Sequence, residues 1–511
     1  MPDVSLRSTG CAEPKRVGVN PRMSTALVHQ PTRITFLQWM AIALGAIAMG
    51  SLIYVSLTHD GEHGKTHTVH DAAPTMWAVI PFVGILLTIA TFPLIPATAH
   101  WWENNRNRLM VSLVFAGVTL LYYWLAYSST KVVSVLEHAL IEEYIPFIVL
   151  LFALYVISGG ICLKGDLAAH PATNTAFLAV GAGIASFVGT TGASMLLIRP
   201  LLQTNSERKH VKHTVIFFIF LVSNIGGCLL PIGDPPLFLG YLKGVPFLWT
   251  FHLWFEWAIM SVVLLVVYYI WDTMAYRHEA IRDIVRDETQ LQKLTLNGKL
   301  NLLFLVGVVL AVALIKPGEP FLGTSFHPFP FLRELVMLGL VALSLSMTPK
   351  RIRSDNKFTY HAIFEVAALF IGIFIAMQPP LEILRARGDE IGKVLDAPWK
   401  FFWITGTLSS FLDNAPTYLV FFQIANSMTH EAGEGIFQLL DGNFIRQELL
   451  VAISLGAVFM GAMTYIGNGP NFMVKSIAEQ SGIRMPSFFG YMAYSIGILV
   501  PLFVVVTILF L

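Results

Sequence analysis

The sequence predicts an all-α polytopic membrane protein, and three observations carry that prediction. First, 55% of its 511 residues are hydrophobic and only 13% are charged, about half the charge of a soluble domain. Second, the mean hydropathy is +0.65, and a span needs about 20 apolar residues, so the chain holds room for about 11 spanning helices. Third, four apolar stretches of membrane length are interrupted by Gly, Pro, Asn or Asp. A soluble enzyme and a disordered chain are both excluded as readings. A formal net charge of +1 gives no sign of a nucleic-acid partner. Cys11, Cys162 and Cys228 are far apart, with neither a disulfide framework nor zinc-ligand spacing.

In chain order, 1–34 is a polar, basic tail and 35–57 is an extra first transmembrane helix, retained because no small-residue cleavage site follows it. Plain apolar segments lie near 76–97, 109–127, 143–163, 252–273, 298–316, 333–348, 358–378 and 487–511. The interrupted four read differently: 175–204 and 398–427 as re-entrant hairpins, 213–245 and 446–480 as discontinuous helices that cross once. With that topology, 23 of the 33 Lys and Arg residues fall on the amino-terminal side, which is cytoplasmic by the positive-inside rule. The carboxyl terminus is then outside and the location is the cell inner membrane. The segment with Arg385, Arg387, Lys393 and Lys400 is the exception, being basic on the outer side.

The two hairpins would open to opposite sides, as an inverted repeat requires. Ser186-Phe187-Val188-Gly189-Thr190 aligns with Ser410-Phe411-Leu412-Asp413-Asn414 at an offset of 224. Ile232-Gly233-Asp234-Pro235-Pro236 aligns with Ile466-Gly467-Asn468-Gly469-Pro470 at an offset of 234. Repeat one is therefore set at 76–273 and repeat two at 298–511, joined by a cytoplasmic linker at 274–297.

The chemistry is expected at the interruptions. Between Ser223 and Pro236, glycines and prolines unwind the helix. The freed carbonyls, with Asn224 and Ser223, are hard oxygen ligands for a small cation. The same break recurs at 464–471. At the second hairpin tip, Asp413-Asn414-Ala415-Pro416-Thr417 places a carboxylate at membrane depth, which is costly and by default functional. Burial favours the neutral carboxyl and a bound cation favours the charged one, so one site can exchange a proton for a metal ion. The plainer reading is that Asp413 caps a helix. The first tip offers Thr190 and Thr191 but no acid. Glu365 reads either as a proton relay or as an ion-pair member near the interface, and Glu256 and Asp272 as interfacial acids. Arg199 is expected to snorkel to the cytoplasm, with an anionic substrate as the alternative contact. His59, His63, His67 and His70 read as a solvated loop, with zinc or copper ligation as the alternative.

Asn224-Ile-Gly-Gly-x4-Ile-Gly-Asp-Pro-Pro236, Phe411-Leu-Asp-Asn-x-Pro-Thr417 and Ile466-Gly-Asn-x-Pro-Asn471 resemble motifs of the ion transporter superfamily. The nearest branch is the NhaD-type sodium/proton antiporters, with arsenite permeases, the pigment-cell P protein and citrate transporters as relatives. Ser476-Ile-Ala-Glu-Gln-Ser-Gly482 is similar to the same branch. The resemblance implies a scaffold domain and a transport domain, a homodimer and an elevator-type mechanism. It places Asn224, Asp234, Asp413, Asn414, Asn468 and Asn471 at or near the ion, with sodium at Asp413, Asn414, Asn224 and Asn468. The family often has an Asp-Asn or Asn-Thr pair where this chain has Gly189-Thr190, so two symmetric sodium sites are not expected. The resulting expectation is a sodium/proton antiporter, not an enzyme, with sodium as transported species, no cofactor, and the lipid bilayer as its partner. The alternative is a cation-coupled carrier of citrate or another small anion. No nucleotide-binding motif is present, so an ion gradient would supply the energy.

Overall fold

The computed structural model describes residues 73–511 apart from 290, 317–319, 321–323, 430–432, 434 and 441. The amino-terminal tail, the helix expected at 35–57 and the His59–His70 loop lie outside the described residues. Of the described residues, 74% are helical, and the protein is an integral membrane protein. Its helices are α1 (Ile80–Thr91), α2 (Pro96–Trp102), α3 (Asn105–Ala126), α4 (Ser129–Leu136) and α5 (Ile145–Ser158). A π-helical stretch, Glu137–Tyr144, joins α4 to α5. Then come α6 (Pro171–Val188), α7 (Thr190–Thr204), α8 (Lys212–Leu221), α9 (Pro235–Leu242) and α10 (Trp254–Tyr276). The second half comprises α11 (Ile281–Thr289), α12 (Leu300–Leu314), α13 (Leu332–Met347), α14 (Lys350–Asp355), α15 (His361–Ala376) and α16 (Gln378–Gly392). It ends with α17 (Pro398–Phe411), α18 (Asn414–Ser427), α19 (Gln447–Met460), α20 (Gly469–Gln480) and α21 (Phe488–Phe510).

Six helices among the described residues are long and apolar enough to cross a membrane, or up to eight if each of two bent pairs is one span. The 11 expected include the helix at 35–57, which lies outside the described residues, and several other apolar stretches fold into shorter helices. α12 has 15 residues and α13 has 16, under the roughly 20 that a perpendicular span needs. The segment at 76–97 does not continue straight either: the α1 and α2 pair bends by 102°.

The interrupted segments occupy the centre. Of Lys212–Leu229, 89% is buried, against 22% of the most apolar stretch of Phe488–Phe510. A helix that is apolar on every side belongs in a core, and Val215 to Val222 are all fully buried. α6 and α7 form the first hairpin. They turn at Gly189, whose φ of +79° is in the left-handed region that glycine enters without penalty. α17 and α18 form the second, with extended backbone at Leu412 and Asp413 between them. The discontinuous helices run from α8 through a 3-10 turn (Ile225–Leu229) to α9, and from α19 through Gly461–Met463 to α20. Proline opens each resuming helix at its first turn, where the missing N–H has no helical partner to lose.

A second bundle is built from helices of both halves. Ser112 Oγ on α3 donates to the Leu369 carbonyl on α15 at 2.8 Å, Tyr144 donates to the Ala367 carbonyl at 2.9 Å, and Tyr155 to the Thr359 carbonyl at 2.7 Å. The linker expected as a cytoplasmic loop contains α11 and a strand, β2 (Gln292–Asn297). β2 pairs antiparallel with β1 (Cys162–Asp166), Cys162 opposite Asn297. A second small hairpin pairs β3 (Ile436–Gln438) with β4 (Phe444–Arg446). The basic segment expected on the outer side becomes α16, a helix packed on α18. There Arg385 Nε donates to Gln423 Oε1 at 3.1 Å.

Candidate functional site

Each break leaves one half-helix beginning inside the protein, and each hairpin tip adds another helix start. Thr190 opens α7, Asn414 opens α18, Asp234 precedes α9 and Asn468 precedes α20. All four meet at one carboxylate. Asp234, 1% exposed, makes no capping bond on its own helix. Its Oδ1 accepts from Thr190 Oγ1 at 3.0 Å and from Asn468 Nδ2 at 2.9 Å. Its Oδ2 accepts from Asn414 Nδ2 at 2.7 Å. A buried carboxylate needs such donors, because stranding it would cost several kcal/mol.

The network extends through three more expected residues. Asn468 Nδ2 also lies 3.2 Å from both Asn224 Oδ1 and the Ser223 carbonyl. A primary amide has two hydrogens, yet three oxygens converge on this one nitrogen. Asn224 Nδ2 donates to Asn471 Oδ1 at 2.7 Å and to the Ile219 carbonyl at 2.8 Å. Asn471 Nδ2 in turn holds the freed carbonyls of Gly461 and Thr464 at 2.8 and 2.9 Å. Ser223 Oγ meets Ser194 Oγ at 2.8 Å, tying the first break to the first hairpin.

Asp413 makes no hydrogen bond to Asp234 or its donors among the described residues. Its Oδ1 accepts from the Ala415 N–H at 3.1 Å, as an N-cap does, and its side chain is half-buried. Thr417 Oγ1 donates to the Asp413 carbonyl at 3.0 Å and completes that turn. Thr191 is half-buried beside Thr190. Glu365 belongs to the other bundle, where it meets Arg108 at 2.8 Å between α15 and α3.

The two breaks are held alike. Ser186 Oγ donates to the Gly226 carbonyl at 2.6 Å, and Ser410 Oγ to the Met460 carbonyl at 3.1 Å. Ser186 with Ser410 keeps the offset of 224 and Gly226 with Met460 keeps that of 234. A Cβ on Gly467 would lie 2.6 Å from the Gly461 carbonyl oxygen and 2.9 Å from that of Ser409. Gly233 meets Gly227 and Ser186 in the corresponding way. At both breaks the backbones approach too closely for any side chain.

Two buried charge clusters escaped the sequence reading. Asp272, expected at an interface, is fully buried. It takes two bonds from Arg208, at 2.6 and 3.0 Å, and meets His213 Nε2 at 2.8 Å. Glu143, 2% exposed, pairs with Lys243 and accepts from Gln378 Nε2 at 3.1 Å. Acids at membrane depth are the available signal for both. Their partners lie 64 and 100 residues away in the chain, which no local pattern shows. Among the described residues, Cys162 and Cys228 are free and buried, and no group of three or more His, Cys, Asp or Glu is placed to hold a metal ion.

No curated protein matches this sequence. Residues 71–511, which take in every helix described above, match the family described as "Putative citrate transport". With its hairpins, discontinuous helices and buried polar centre, the chain belongs to that citrate transport family of membrane proteins.

Proposed function

We propose that this transporter is a secondary carrier that moves citrate or a closely related small carboxylate together with a cation. The observation that supports the reading most is the meeting of four helix starts at Asp234. Each start carries partial positive charge and unsatisfied N–H groups, which favour an anion. In discontinuous-helix carriers such half-helix starts face anionic groups of the substrate, while unwound carbonyls take the coupling ion. Thr190, Thr191, Asn414 and Thr417 at the tips would face the carboxylates. Asp234, Asn224 Oδ1 and the Ser223 carbonyl, the oxygens that crowd Asn468 Nδ2, would hold the cation once that amide swings aside. The family description supports the anion as cargo.

Sodium/proton exchange is the second reading. It is favoured by one feature, a single carboxylate at the meeting point of the helix starts, which can take either a proton or a metal ion. Both readings share an elevator-type movement and a homodimer, as the motif resemblance implies, and a cytoplasmic amino terminus, as the sorting of Lys and Arg implies. In proteoliposomes, labelled citrate should accumulate under an inward sodium or proton gradient and should fail to accumulate without one. Proton release on adding sodium, with no citrate flux, would favour the exchanger. If neither occurs, the proposal fails.

A further inference from the structure

A cavity of about 710 Å³ opens at the ends of α7 and α20 that lie away from Asp234, between Gln203 on one helix and Gln480 on the other. Six of its lining residues are basic, Arg199, Arg208, Lys209, Lys212, Lys357 and Arg484, and none is acidic. Arg208 is committed to Asp272. Lys209 Nζ lies 3.8 Å from Asp283. The other four face the cavity with no acidic group within ion-pair distance among the described residues. Arg199 is half-buried, and its Nε is buried without a hydrogen-bond partner among them. A charged donor removed from water in this way calls for an anion to complete it.

Lys357 adds an independent sign. Its φ of +48° is left-handed, a conformation in which a helix-ending turn ordinarily has glycine. The turn closes through Lys357 N to the Ser354 carbonyl and Phe358 N to the Arg353 carbonyl, both at 2.9 Å. A lysine kept at a strained position points to a use for its charge. That lysine comes from the loop before α15, whereas Arg199 comes from α7, so the two bundles each supply part of the ring. Arg199 follows Thr190 by nine residues on α7, roughly 13 Å along the helix axis. The cavity therefore lies about two and a half turns from Asp234.

We infer that this cavity is an anion-binding vestibule, built to concentrate a multivalent carboxylate at one mouth of the transport path. The inference rests on the citrate reading above and adds the residues that select the substrate's charge. Its volume is that of a small-molecule site, and a concave ring of one charge sign raises the local concentration of the opposite ion.

The test uses the purified full-length chain. Arg199→Gln removes the buried guanidinium. Lys357→Gly removes the exposed ammonium while suiting the backbone, so that variant folds even if the first does not. Each should raise the KM for citrate by about tenfold or more, the usual loss for a charged hydrogen bond, with maximal uptake within about twofold of wild type. In detergent, citrate and inorganic phosphate should raise the thermal midpoint of the wild type, while chloride at equal ionic strength should not. Both variants should lose the rise with phosphate and show a smaller one with citrate, whose central site they keep. Wild-type KM and an unchanged citrate shift in both would overturn the vestibule and leave the proposed carrier standing. A wild type that transports no citrate, yet shows an Arg199-dependent citrate shift, would keep the vestibule and remove the carrier reading. Stabilisation by phosphatidylglycerol nanodiscs alone, with no response to soluble citrate or phosphate, would assign the cavity to a lipid headgroup and overturn the inference.

Discussion

Asp234 and Asp413 are each extended residues immediately before a helix, yet their side chains do different things. Asp413 Oδ1 caps its own helix, and an asparagine can do the same. Asp413→Asn should therefore leave the thermal midpoint nearly unchanged, and Asp413→Ala should cost about 1 kcal/mol. Asp234 accepts from three residues on three other elements. Asp234→Ala strands those donors at about 1–3 kcal/mol each, and the folded yield should fall. Asp234→Asn keeps the volume and has one acceptor oxygen where the carboxylate has two. It should reduce cation-driven uptake to below about a tenth, the loss of one charge-assisted hydrogen bond. If Asp413→Asn abolished uptake and Asp234→Asn kept it, the coupling carboxylate would be the one at the hairpin tip.

Among the elements, the breaks depend on backbone contact that only glycine permits. Gly467→Ala would place a methyl group 2.6 Å from the Gly461 carbonyl oxygen. Backbone cannot turn aside as a flexible side chain can, so the crossing should open at a cost of about 1–3 kcal/mol. Uptake should be lost, and size-exclusion profiles should show less folded protein. Gly189→Ala is milder. Its φ of +79° with ψ of 147° lies where essentially only glycine settles, which costs an alanine about 1–3 kcal/mol, while its Cβ would make only ordinary contacts, the nearest at 3.5 Å. The thermal midpoint should fall with much of the uptake kept. Equal and complete loss in both variants would mean that the first tip tolerates no adjustment. Ser186 tests the matching contacts of the first break. Its hydroxyl donates to Gly226 and accepts from the Leu229 N–H at 2.9 Å, so Ser186→Ala should cost more than Ser410→Ala, whose hydroxyl only donates.

For the whole molecule, the decisive property is the direction in which each hairpin faces. Ser206, just past the first hairpin, is exposed, whereas Ser427 is half-buried against Gly388. Gln438 in β3 is exposed and is the better reporter for the second hairpin. In a background lacking Cys11, cysteines at 206 and 438 should react with an impermeant thiol reagent from opposite sides of the membrane. Cys162 and Cys228 are buried and should stay silent. Labelling of both from one side would end the inverted-repeat reading.

The sequence alone determined that the chain lives in a membrane, that four of its apolar segments are broken, and where they break. Composition and local chemistry suffice for this, since Gly, Pro and Asn interrupt a helix wherever they stand in an apolar run. The set of polar residues at Ser223, Asn224, Asp234, Asn414 and Asn468 was legible for the same reason. Tertiary structure alone decided which acid joins them. The sequence singles out Asp413 as the exchanging carboxylate, and only packing shows that it turns back to its own helix while Asp234 reaches Thr190, Asn414 and Asn468. It also decided how many apolar stretches grow to spanning length, the burial of Asp272 against Arg208 and His213, and the ring of cations around Arg199. Each of these joins residues tens to hundreds of positions apart, and periodicity reports only neighbours along the chain.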